Sequence, residues 1–90
     1  GLQVPGDAMT APVGISIAQG MMILVDPSIE PEPGKMVIAQ TADAEEATFR
    51  QLIEESGQRY LKPLNPTYPK TLFDERCRVI GVVVQATTKL

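Results

Sequence analysis

Seven Gly and eight Pro residues punctuate this 90-residue chain at short intervals, and they restrict what it can fold into more than any other feature. Pro5-Gly6, Pro12, Gly14, Gly20, Pro27, Pro31, Pro33-Gly34, Gly57, Pro63, Pro66, Pro69 and Gly81 divide it into short pieces. Proline removes a backbone donor and clashes inside a helix, and glycine loses more freedom on ordering than any other residue, so long helices are disfavoured. The apolar segments that remain are of strand length: 21–25, 36–39, 60–62, 71–73 and 79–84, several of them rich in Val and Ile. The spacing predicts an all-β domain, with Asp26 to Lys35 as an ordered, turn-rich connection.

The segment 43–56 admits two readings. As a helix, Asp43 caps it with Glu46 three residues on, Phe49, Leu52 and Ile53 share a face, and Gly57 ends it. As a strand, Phe49, Gln51 and Ile53 face one side and Thr48, Arg50 and Leu52 the other, with Ser56-Gly57 turning the chain into Gln58–Leu61. Local propensity favours the helix.

Composition narrows the function classes. One compact domain spanning 1–90 accounts for the length, with a core of Val, Ile, Leu, Met and Ala around Phe49, Tyr60, Tyr68 and Phe73. There is no His, and Cys77 is the single Cys, so histidine-based triads, cysteine-rich zinc sites and an internal disulfide are excluded; Cys77 reads as a small hydrophobe. No metal or cofactor is expected. The paired carboxylates Glu45-Glu46 and Glu54-Glu55 point to opposite faces in a strand and read as solvated turns. A net charge of −3 with scattered Lys and Arg predicts no direct nucleic-acid contact. The chain has neither a bilayer-length apolar run nor a basic-then-apolar leader, so no membrane association and a cytoplasmic location are expected.

Several motifs occur in one order: Pro5-Gly6-Asp7-Ala8-Met9, Gln19-Gly20 to Asp26, Glu32-Pro33-Gly34 to Ala39, Thr48-Phe49-Arg50, Leu64-Asn65-Pro66 and Val79 to Val83. Together they closely resemble the C-terminal domain of lambdoid phage CI repressors, and more distantly the LexA and UmuD self-cleaving proteins, over Val4 to Val84. The resemblance implies a compact, strongly twisted all-β LexA-like domain of about seven short strands, and it turns 43–56 into strand. It also implies a host-cell transcriptional regulator of phage or prophage lysogeny, whose DNA-binding domain is not in this chain.

In that family the turn reads Gly-x-Ser-Met, with the serine as nucleophile, and a lysine after Thr-Phe is the general base. Here those positions hold Ala8 and Arg50. Alanine has no oxygen with which to attack, and a guanidinium keeps its proton. A degenerate Ser/Lys autopeptidase-like domain with no catalytic residue is therefore expected. The alternative is an autopeptidase inactivated by an engineered serine-to-alanine change; Arg50 favours native degeneracy, because trapping an uncut protein requires only one substitution. If Arg50 is buried, it needs a partner, either Asp7 or main-chain carbonyls. A UmuD-like accessory subunit of a polymerase is the third reading.

The last strand, Val79 to Ala86, is apolar on both faces under strict alternation: Val79, Gly81 and Val83 on one, Ile80, Val82, Val84 and Ala86 on the other. Such a strand is either internal or covered by a partner. The resemblance implies a homodimer contact on Val82, Val84 and Ala86, with Asn65, Pro66 and Tyr68 nearby. It also implies a higher-oligomer or partner patch at Glu54, Glu55, Ser56, Gly57 and Gln58, a turn that the two glutamates make acidic. A repressor unable to cut itself needs another release, and an antirepressor protein is the expected partner.

Overall fold

A computed structural model describes residues 2–11, 17–42 and 44–88. Seven strands run through them: β1 (Leu2–Gln3), β2 (Met22–Asp26), β3 (Met36–Thr41), β4 (Thr48–Glu55), β5 (Gln58–Lys62), β6 (Thr71–Leu72) and β7 (Cys77–Thr87). They form one sheet in the order β1-β2-β7-β3-β4-β5-β6, with every pairing antiparallel. The all-β expectation holds. Pro12, Gly14 and the suggested helix cap Asp43 lie outside the described residues.

Segment 48–55 is strand, against its local helical propensity. Leu52 pairs with Leu61 and Phe49 with Ile38, so the two apolar side chains sink into opposite faces of the sheet, a burial that one amphipathic helical face would not provide. The hairpin into β5 closes through Ser56 (φ 50°) and Gly57 (φ 77°), between the paired residues Glu55 and Gln58. Two successive left-handed residues match the right-handed twist of the flanking strands.

Both faces of the sheet carry a core. On one, Val4, Met9, Ile17, Ile23, Ile38 and Phe49 are buried together; on the other, Val37, Ala39, Leu52, Leu61 and Val82. Val4, Met9, Ile17 and Met21, between β1 and β2, pack on the first face, and their backbone is tied by Val4 N–H to Met21 O (3.0 Å) and Gly20 N–H to Val4 O (2.8 Å). Cys77 packs half-buried against the second cluster.

The structure corrects the alternation expected in β7. Against β3 the register passes from Ile38–Gly81 to Ala39–Val79, and against β2 from Leu24–Gln85 to Val25–Val83. Ile80 and Val84 are therefore extra residues at two β-bulges, and each bulge reverses which face the following side chains take. Cys77, Val79 and Val82 lie on the second core face, and Val83 and Ala86 on the first. Val82 consequently does not share a face with Ala86.

Gly81 sits between the bulges where β2 comes closest. A Cβ at this position would lie 2.5 Å from Val25 Cγ1 and 3.3 Å from the Asp26 carbonyl carbon and oxygen. Only glycine admits this approach without a shift of β2.

Candidate functional site

The turn 5–9 reaches its position through residues far away in sequence. Met9 is fully buried, and its carbonyl accepts the Ile17 N–H (2.7 Å). From the other side, Asn65 N–H donates to Ala8 O (2.7 Å), and Asn65 Nδ2 donates to Asp7 O (3.0 Å). Asn65 is itself held in place, since its Oδ1 accepts both the backbone N–H (3.0 Å) and the hydroxyl (2.8 Å) of Thr67. The Tyr68 hydroxyl donates to the Asp7 carboxylate. Two chain segments about sixty residues apart thus fix the backbone that carries Ala8.

Ala8 and Arg50 line the same cleft, of about 230 Å³, between this turn and the start of β4. The two positions singled out in the sequence are brought together. Arg50 is half-buried, and its Nη1 donates to the Phe49 carbonyl (2.7 Å). Of the two partners foreseen for it, the main-chain carbonyl is the one it meets; Asp7 is engaged by Tyr68 instead. Burial pushes the guanidinium down from its ordinary value, partly opposed by Tyr68, but an arginine has so high a starting point that it remains charged.

Tyr68 and Thr48, two other polar groups of the cleft, donate hydrogen bonds of their own. The hydrogen bond to Asp7, then the Asp7 charge and burial, push the Tyr68 phenol up, so at neutral pH it keeps its proton and acts as a donor. The Thr48 hydroxyl donates to Ala39 O (3.3 Å). Among the described residues, no three His, Cys, Asp or Glu side chains converge as a metal site would need.

The residues assigned to subunit contacts are scattered. Val82 is only 3% exposed and belongs to the core, Ala86 is half-buried, and Val84 is 48% exposed. Asn65 and Tyr68 serve the Ala8 turn, while Pro66 beside them is exposed. Met22 and Leu24, to which the sequence pattern assigned no contact, are exposed on β2 beside the Val84 bulge. Their alternation with buried Ile23 was the available signal. At the β4–β5 hairpin, Glu54 lies 3.6 Å from Arg59 and Glu55 2.8 Å from Lys70, whose ammonium also sits 4.5 Å from the Tyr60 ring centroid. The turn read as acidic is thus partly neutralised within the chain, although Ser56, Gly57 and Gln58 remain exposed.

Known proteins match this sequence along almost its whole length. The family model described as Peptidase S24-like matches residues 1–84. Repressor protein C2 of Salmonella phage P22 is 53% identical over 85 residues, which are 94% of this chain and 39% of that protein. The HTH-type transcriptional regulator for conjugative element SXT of Vibrio cholerae is 48% identical over 86 residues, 94% of this chain and 40% of the regulator. Prophage repressor CohE of Escherichia coli is 41% identical over 85 residues, 92% of this chain and 36% of the repressor. The chain spans about two fifths of the length of these relatives.

Proposed function

Because this chain belongs to the Peptidase S24-like family, we propose that it is the C-terminal assembly domain of a phage or prophage transcriptional repressor and that it does not cut itself. One observation carries the second half of that reading. In the cleft where a nucleophile and a base would meet, Ala8 has no hydroxyl and Arg50 is a permanent cation bonded to its own backbone. Loss of either partner of such a dyad removes nearly all of its chemistry.

What remains is a scaffold that holds chains together. Leu24, Met22 and Val84 form an exposed apolar strip on β2 and β7, beside core residue Val82, and contiguous apolar exposure of this kind marks an interaction surface. A two-fold contact over this strip would join two repressor chains, and linking two half-site binders raises their effective concentration at a paired operator. The DNA-binding part lies in the remainder of the longer protein. Release from DNA then depends on a second protein, an antirepressor, rather than on cleavage.

The assembly half is tested by sedimentation or light scattering across concentration. The chain should be dimeric, and Leu24→Glu or Val84→Lys, both at exposed positions, should yield folded monomers. A native chain that stays monomeric at high micromolar concentration contradicts it.

A further inference from the structure

Arg50 is an uncompensated cation in a partly water-excluded cleft. Among the described residues it has no ion pair, and its one hydrogen bond is Nη1 to Phe49 O. Two carboxylates line the same cleft, Asp7 and Glu46, but neither pairs with it; Asp7 is engaged by Tyr68, and Glu46 is exposed. A half-desolvated guanidinium with its remaining N–H groups unassigned is the arrangement that a carboxylate completes, through two parallel charge-assisted hydrogen bonds.

The backbone beside it is open as well. β4 pairs with β3 from Thr48 onward but with β5 only from Gln51, so 48–50 has no strand on that side among the described residues. Leu52 exchanges both of its backbone bonds with Gly34 and Lys35, on the side of β3. By antiparallel alternation Phe49 turns its N–H and C=O away from β3, toward the open side; the C=O already accepts Arg50 Nη1, so the N–H is the backbone group left facing that side. A second depression, of about 130 Å³, adjoins the cleft through Pro5, Ala47, Thr48 and Phe49 and is floored by Ile23 and Ile38. A cation, a backbone donor and an apolar depression thus adjoin one another.

We propose that this cleft is a receptor for an extended segment of another protein, with an Asp or Glu side chain seated on Arg50 and a neighbouring apolar side chain in the Ile23–Ile38 depression. The Phe49 N–H offers the segment a main-chain hydrogen bond, and the two side-chain positions supply selectivity. The proposal rests on the reading that the cleft performs no chemistry: a base would have to be neutral, whereas a carboxylate receptor has to be charged.

The test uses the 90-residue chain and two capped dipeptides, acetyl-Leu-Glu-amide and acetyl-Leu-Gln-amide, followed by NMR at the Arg50 Nε–H and the Ala8 and Phe49 amides. The Glu peptide should give saturable shifts at these three groups and bind about tenfold or more tightly than the Gln peptide, as expected for a charge-assisted pair. Arg50→Gln should make the two peptides equal, while Arg50→Lys, which keeps the charge without the fork, should retain a reduced preference. Equal binding of both peptides to the native chain, no saturable shift, or propionate binding as tightly as the Glu peptide would each overturn the proposal. If Arg50→Gln fails to fold, the comparison of the two peptides on the native chain decides by itself. A negative result leaves the non-cleaving reading standing, since that reading is judged by serine reactivity and not by peptide affinity.

Discussion

Replacing Gly81 by alanine should destabilise the domain through one identifiable contact. The new methyl would lie 2.5 Å from Val25 Cγ1, well inside van der Waals contact, and 3.3 Å from two backbone atoms of Asp26. Val25 cannot swing aside cheaply, because its β-branched side chain has few allowed rotamers and packs against the first core cluster. β2 or β7 must therefore shift, and overpacking of this kind costs about 1–3 kcal/mol. Urea unfolding of Gly81→Ala, Val25→Ala and the double variant forms a cycle that isolates the clash. Val25→Ala alone should cost about 0.5–1.5 kcal/mol, the range for removing methyl groups from a half-buried site. The double variant should be more stable than the sum of the two single effects predicts, by about 1 kcal/mol or more, because the atom that the new methyl strikes is gone. Strict additivity, or a Gly81→Ala chain as stable as the native one, would refute the close-approach account of this glycine.

Three further outcomes follow from the same packing and electrostatics. Met9→Ala should cost about 2–5 kcal/mol in urea unfolding, since Met9 is fully buried in the first core, and it should speed amide exchange at Asn65, which bonds to the neighbouring Ala8 carbonyl. Stability should fall at acid pH. Asp26, held down by the Ser28 hydroxyl and N–H, Glu55, held down by Lys70, and Asp74, held down by Arg76, all lie below their ordinary values in the folded chain. Each adds stability above the ordinary carboxylate range and loses it as pH drops through its lowered folded-state value, so urea midpoints should decline there, and less steeply in Asp26→Asn/Asp74→Asn. Tyr68→Phe should leave the sheet intact while loosening the Asp7 side of the cleft, seen as exchange broadening of the Asp7 and Ala8 amides that the native chain lacks.

The strands were legible where β-branched runs lie between turn residues, as in β2, β3 and the body of β7, because burial on a sheet and local preference agree there. At 48–55 they conflict, and long-range pairing to Ile38 and Leu61 overrides helical propensity. The two-residue β1 carries too little pattern to be read. Bulges at Ile80 and Val84 defeat any face assignment that assumes an unbroken period of two, which is why Val82 and Ala86, read as sharing a face, pack on opposite ones. The Ala8–Arg50 pairing was legible through family resemblance, since nothing local links positions so far apart. The engagement of Asn65 and Tyr68 with the Ala8 turn was not legible, because Asn65-Pro66 reads as turn chemistry whichever partner it meets.

The central claim, that this cleft holds and does not cut, can be measured by restoring its missing groups one at a time. Ala8→Ser, Arg50→Lys and the double variant are exposed to a fluorophosphonate, which adds mass only to an activated serine, and intact mass is recorded from neutral to alkaline pH. No adduct is expected for the native chain or for Ala8→Ser alone, because a guanidinium does not accept the hydroxyl proton; a pH-dependent adduct on the introduced serine should form only when lysine also replaces Arg50. An adduct in Ala8→Ser with Arg50 intact would contradict the claim.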